Sequence, residues 1–195
     1  TAGCAICLLI ATLPARSQTP PATIYVRTTG SDSTGNGSAG SPFRTIPHAI
    51  SVANTGDQIF VGPGTYSGPG EVPIVFPLAR SLKIVSEQGP FVTELVGDSS
   101  ASGSVVVMDV GNDFDSVTID GFTIRDNTVF VPGCDYCAGG ITVGLITKAN
   151  ILNCIISGNT GIGNDLVGGI AYKGSGGMVA NNWIIRNSGG NALSS

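Results

Sequence analysis

The chain is poor in charge and in histidine. Of its 195 residues only 11% are charged, and His48 is the sole histidine. A zinc site built on Cys134 and Cys137 would need two further ligands, and His48 lies far off in sequence. Cations are outnumbered: nine Lys and Arg against 13 Asp and Glu give a net charge of −4 and a pI near 4.7. That balance argues against nucleic acid and anionic membrane as partners. Past Ser17 no run is long and apolar enough to span a bilayer. Glycine is plentiful, at 29 residues, but without a period of three, which excludes collagen and fits many tight turns. The length suits one domain with a substantial core.

The first 17 residues read as a secretory signal. AGCAICLLIATLPA (2–15) is too short to span a bilayer comfortably, and small residues at Ala15 and Ser17 fit cleavage after Ser17. The chain opens at Thr1 without Met or a basic segment, so this signal is expected to be truncated. A lipidated Cys4 is the weaker alternative, because the apolar run follows Cys4 instead of preceding it. Cleavage removes Cys4 and Cys7. In a secreted chain, Cys134-x-x-Cys137 then fits a small loop-closing disulfide better than a redox centre.

A weak repeat occupies the second half. VTIDGFTIRDN (117–127), NILNCIISGN (150–159) and VANNWIIRNS (179–188) stack without gaps at spacings of 32 and 29 residues. Gly121, Asn153 and Asn182 share a column, followed by Phe122, Cys154 and Trp183. Ile124, Ile156 and Ile185 share another, and Asn127, Asn159 and Ser188 a fourth. Glycine and asparagine are the residues that most readily turn left-handed, so the first column predicts a recurrent sharp bend. A chain bending at one place on every lap is a solenoid. Cys154 is expected to be a buried filler, and Asn127 with Asn159 a hydrogen-bonded stack at one corner.

Ahead of the repeat, a Pro-rich linker (18–22) leads to an alternating strand, TIYVRTTG (23–30), and a Gly/Ser-rich loop. TIPHAISVAN (45–54) predicts a short helix with Thr45 as N-cap, Pro47 in the first turn, and Ile46, Ala49, Ile50 and Ala53 on one face. Laid across the first coil, such a helix closes an otherwise open edge and core. Strands follow at 81–87, 104–109, 117–124, 140–143, 150–156, 169–172 and 179–185. Insertions fall after Asn127 and Asn159, at one corner, where a stack tolerates them.

The segment 24–66, with YV, GSD, SPF-TI, A-I--A and GD-I-V-PGTY in order, resembles the opening of secreted right-handed parallel β-helix proteins of the pectate-lyase-like kind. The resemblance implies an all-β right-handed parallel β-helix with a short N-terminal capping helix. The expected organisation is signal 1–17, linker 18–22, cap and first coil 23–80, and coils 81–195. About four to five coils are expected, with the C-terminal part missing. Cleaving members hold Ca²⁺ on carboxylates and abstract a proton with a basic residue, while related glycosidases use clustered aspartates. The residues themselves make no cofactor evident.

No catalytic cluster is legible, so catalytic and metal residues stay unassigned. If Ile141, Val143, Ile170 and Tyr172 point inward, Thr142, Gly144, Ala171 and Lys173 point out, and Asp109 with Lys173 is the best pair available. Asp113 and Asp115 lack the spacing of a complete calcium loop. Asp57 and Asp120 read as turn residues, and His48 receives no role. Arg125 and Arg186 share a column with Ser157 between them, a candidate basic ladder that a solvated surface explains better. Two functions remain. One is a secreted monomer that binds or processes extracellular polysaccharide, inactive as this fragment. The other is a non-catalytic surface or adhesive scaffold binding through its corner loops.

Overall fold

The computed structural model describes residues 20–77, 79–97, 103–109, 116–130, 137–145, 148–163 and 166–189. The expected signal at 1–17, and also Asp113, Asp115 and Cys134, lie outside the described residues. Among the described residues, every strand pairing is parallel and there is a single helix. The largest sheet has six strands: Thr23–Val26, Gln58–Val61, Leu82–Ser86, Ser116–Asp120, Lys148–Leu152 and Gly176–Ala180. A five-stranded sheet stacks Gly64–Ser67, Thr93–Val96, Thr123–Arg125, Ile155–Ser157 and Trp183–Ile185. A four-stranded sheet stacks Ile74–Val75, Val106–Met108, Ile141–Val143 and Ile170–Tyr172. The chain visits each sheet once per lap and returns one strand further along, which makes a parallel β-helix.

Period-two alternation sends every second side chain inward. In the six-stranded sheet, Ile24, Ile59, Ile84, Ile119, Ile151 and Val179 fall in one register column. Tyr66, Leu95, Ile124, Ile156 and Ile184 form the equivalent column of the five-stranded sheet. All but Val179 and Ile184, in the last described lap, are buried. Each such burial contributes about 1.5–3 kcal/mol, so the stacked columns are the main cohesive element.

The helix forms as expected. It spans Ile46–Val52 with Thr45 as N-cap, whose hydroxyl accepts from the His48 N–H at 3.2 Å, and it buries Ile46, Ala49 and Ile50 against the first coil. Asp32 holds the cap in place, accepting from Arg44 N, Thr45 N and Thr45 Oγ1 at 2.7–3.1 Å. Burial pushes the Asp32 carboxyl up, but these hydrogen bonds outweigh it and hold the group below its ordinary value. Glu71, only 4% exposed, pairs with Arg44 through Oε1, and its Oε2 has no hydrogen-bond partner among the described residues. Its carboxyl is raised, chiefly by burial and against the Arg44 charge. His48 is not without a neighbour: its ring meets Phe43 edge-on at 4.6 Å.

The repeat is real, but its third copy is shifted by one residue. Leu152 pairs with Ala180, so Asn181, not Asn182, continues the bend column. Gly121, Asn153 and Asn181 have φ of 80°, 53° and 57°, in the left-handed region. Cys154 is followed in its column by Asn182, whose Oδ1 accepts from Cys154 N at 2.8 Å, and Trp183 moves to the outward position above Ile155. The cause is a shorter corner: residues 173–175 replace 144–147 between the four- and six-stranded sheets. Cys154 is a buried filler as expected, its thiol pushed up to about 11 by burial.

With that register, the ladder is the buried Asn127 and Asn159 and the half-buried Asn187, and Ser188 stands one place beyond. Asn127 N donates to Asn159 Oδ1 at 3.2 Å, and Asn159 N to Asn187 Oδ1 at 3.0 Å, across 32 and then 28 residues. Their Nδ2 groups satisfy main-chain carbonyls: Gly103 and Gly139 for Asn127, Ile124 for Asn159, Ile156 for Asn187. Each asparagine closes backbone groups that the corner would otherwise leave buried and unpaired.

Asn159→Ala leaves Asn127 N and the Ile124 carbonyl without these partners, at about 1–3 kcal/mol each, and should lower the urea midpoint sharply. Asn153→Gly, at φ 53°, should change stability by no more than about 0.5 kcal/mol; equal losses at both sites would refute the ladder. Glu71 titrates higher folded than unfolded, so its contribution is full below the unfolded value and lost as pH rises through the folded one. The stability of the wild type relative to Glu71→Gln should therefore fall as pH rises above the ordinary carboxylate range; a rising difference would contradict the burial effect.

Candidate functional site

The four-stranded sheet is flanked by Asp109 and Lys173, the best pair legible in the sequence. Val75, Val107, Thr142 and Ala171 alternate outward there. Thr142 is already engaged: its hydroxyl lies 2.6 Å from Ser104 Oγ and accepts from Ala138 N at 2.9 Å. Met108 pairs with Val143 and Val143 with Tyr172, which settles the register that sequence leaves open. Met108 points inward, and Asp109, Gly144 and Lys173 follow in one column. A Cβ on Gly144 would stand 2.4 Å from Asp109 Cγ, so the carboxylate occupies the space that glycine leaves. The expected Asp109 and Lys173 pair is thus brought to one corner, two strands apart.

That corner lacks the rest of an active site among the described residues. No group of three His, Cys, Asp or Glu side chains gathers among them, so they do not form the carboxylate cage a calcium ion needs. Asp57 is buried and accepts from Ala22 N and Asn54 N, both at 2.7 Å, in a turn role. Asp120 accepts from Asn153 Nδ2 at 2.8 Å and lies 4.0 Å from Lys83 Nζ.

The basic ladder does not form. Arg125 shares its column with Ser157 and Ile185, while Arg186 stands beside Gly158 and Asp126. Asp126, Gly158 and Arg186 have φ of 57°, 65° and 55°, a second left-handed corner column. Arg125 is held by Glu94 at 2.8 Å and by Asp126.

The six-stranded sheet carries a polar face that sequence reasoning passed over. Gln58, Lys83, Thr118 and Asn150 stand in one outward row, with Asn150 Nδ2 donating to Thr118 Oγ1 at 3.1 Å. A shallow recess of about 270 Å³ opens along it, lined by Asp57, Gln58, Ser81, Lys83, Ser116 and Thr118. In the neighbouring outward row Tyr25 stacks on Phe60, with ring centroids 6.0 Å apart. Arg27 lies 5.4 Å over the Tyr25 ring and bonds Glu87 at 2.8 Å. The signal was present: aligning Ile84, Ile119 and Ile151 puts Lys83, Thr118 and Asn150 in one outward row.

Residues 28–109, less than half of the chain, match a family described as a protein of unknown function (DUF1565). The stacked parallel sheets make the fold a parallel β-helix. No curated protein matches. Among solved structures, a rhamnogalacturonan lyase is similar over 82% of this chain, at 19% identity and a TM-score of 0.34. The β-helix here spans 45% of that lyase's length, and so low a score supports neither a shared site nor a shared substrate.

Gly144→Ala should cost no more than about 1 kcal/mol, because its methyl only displaces the Asp109 carboxylate, the far end of an exposed and flexible side chain. Adding Asp109→Ala should restore most of that loss in urea melts. Absence of rescue would show that Asp109 does not fill the space over Gly144.

Proposed function

We propose that this protein is a secreted, monomeric, pectate-lyase-like β-helix protein that binds extracellular polysaccharide along the outer face of its six-stranded sheet. The carrying observation is the outward row of Gln58, Lys83, Thr118 and Asn150 beside the stacked Tyr25 and Phe60. Strands about 4.8 Å apart present an amide, an ammonium, a hydroxyl and a second amide in line. Such groups exchange hydrogen bonds with sugar hydroxyls, and Lys83 can meet a carboxylate of an acidic sugar. The aromatic pair adds an apolar surface for a ring face. Secretion is supported by the apolar run and small residues of positions 2–17.

The described coils bind without cleaving. Among the described residues Asp109 and Lys173 have no carboxylate cluster beside them, and Arg125 is committed to Glu94 and Asp126. A second reading, a scaffold that binds through its corner loop, is favoured by one observation. Cys137 is disulfide-bonded, within the insertion after Asn127 that also carries the exposed Phe130.

Affinity electrophoresis in polygalacturonate gels separates the two. Lys83→Ala should reduce retardation about five- to tenfold in apparent affinity, with no unsaturated product formed in Ca²⁺ or in EDTA. Unchanged retardation in Lys83→Ala would remove the sheet face as the site, and unsaturated product would overturn the non-catalytic reading.

A further inference from the structure

We propose a second saccharide site, on the five-stranded sheet, in which Phe91 and Trp183 form an aromatic corner for neutral hexopyranose units. It rests on the polysaccharide reading for its ligand class only. Phe91 is 74% and Trp183 60% exposed, and their rings meet at 6.1 Å and 78°. Phe91 precedes the strand Thr93–Val96, while Trp183 belongs to a strand three ladder steps further on, about 14 Å away. The rings therefore lean toward each other across the two intervening strands. Crossed so steeply, they form an open corner and not a sealed stack.

Val179 and Ile184, in the last described lap, continue inward columns. Trp183 instead continues the column of Glu94, Thr123 and Ile155, in which Glu94 and Ile155 are half-buried and Thr123 is buried. The Phe91 turn is braced from below by buried hydroxyls. Ser86 Oγ bonds Thr93 Oγ1 at 2.7 Å and accepts from Gly89 N at 3.0 Å, and Thr123 Oγ1 donates to the Pro90 carbonyl at 2.7 Å. A large apolar ring held outward by a fixed turn is a pre-organised contact, since little order remains to be imposed when a ligand arrives.

The surroundings select the ligand. The electron-rich faces of the two rings attract the electropositive C–H faces of a pyranose ring. Two rings flanked by Val92 and Ile185 offer a few hundred Å², well below the ~800 Å² per partner of a stable protein interface. Beside them Glu94 and Asp126 both hold Arg125, leaving two carboxylates against one cation. That border accepts hydrogen bonds from sugar hydroxyls and repels a uronate, so the corner suits a neutral sugar where the Lys83 face suits an acidic one.

Trp183 is the sole tryptophan, so its emission reports this site alone. Titration with cellohexaose and mannohexaose should give a saturable change with at least one of them and none with oligogalacturonate. Phe91→Ala should weaken that binding about tenfold, and Trp183→Ala should lose retention on the same neutral polysaccharide. Both variants should keep the wild-type circular dichroism and polygalacturonate retardation. No response to any neutral hexaose in a protein still retarded by polygalacturonate would overturn this site alone. Failure with both sugars would overturn the polysaccharide reading as well. An emission change that follows protein concentration together with dimerisation would assign the corner to a second copy and overturn the proposal.

Discussion

Parallel register is the constraint from which the rest of this structure follows. Each lap must set its inward side chains directly on those of the lap before, with isoleucine on isoleucine through Ile24, Ile59, Ile84, Ile119 and Ile151. A slip of one residue would turn every one of them outward. The corners are therefore as tightly specified as the strands. The bend after the six-stranded sheet takes a left-handed residue at Gly121, Asn153 and Asn181, and the next corner takes one at Asp126, Gly158 and Arg186. Just past the second corner, Asn127, Asn159 and Asn187 satisfy the carbonyls and N–H groups that turning leaves over.

The same register distributes the polar groups. Because inward positions are taken by the core, chemistry can only be displayed in outward rows, one residue per lap. Each row becomes a line of side chains at strand spacing, suited to an extended repeating ligand. The six-stranded face shows an amide, ammonium and hydroxyl line next to stacked aromatics. The five-stranded face shows an aromatic corner beside a saturated Arg125 ion-pair group. The four-stranded face spends Ser104 and Thr142 on each other and keeps only the Asp109, Gly144 and Lys173 column. Charge on the described surface is thus largely paired within the protein, which fits binding through hydroxyls and ring faces better than acid–base chemistry.

Where local signals were unambiguous, the sequence was readable in detail. The helix at 46–52 carried an N-cap, a proline in its first turn and an apolar face, and all three act as those residues suggest. Asn127 and Asn159 were legible because asparagine recurs at a fixed place after the isoleucine column. Two neighbouring asparagines defeated the third copy: either Asn181 or Asn182 fits a left-handed bend. The choice was made by a corner one residue shorter, which no local preference reveals. The strand at Gly64–Ser67 is hidden in the sequence, because Pro63 and Gly64 give a local turn signal at its start. The Lys83 row and the Phe91 and Trp183 corner were missed for one shared reason. Both exist only after laps are aligned in space, and the slip had put Trp183 over Cys154 instead of in the outward column.

Cross-linking tests that register most directly. Two cysteines in the same outward column of adjacent parallel strands are close enough for a disulfide, whose Cα atoms lie about 4.4–6.8 Å apart. Ser157 and Ile185 are such partners, whereas Arg186 stands one residue beyond. Oxidation of a variant carrying Ser157→Cys and Ile185→Cys should yield a 157–185 linked peptide by mass spectrometry. The variant carrying Ser157→Cys and Arg186→Cys should remain open. The reverse result would restore the 29-residue spacing, return Trp183 to the column of Cys154, and contradict the arrangement of outward faces on which both binding sites depend.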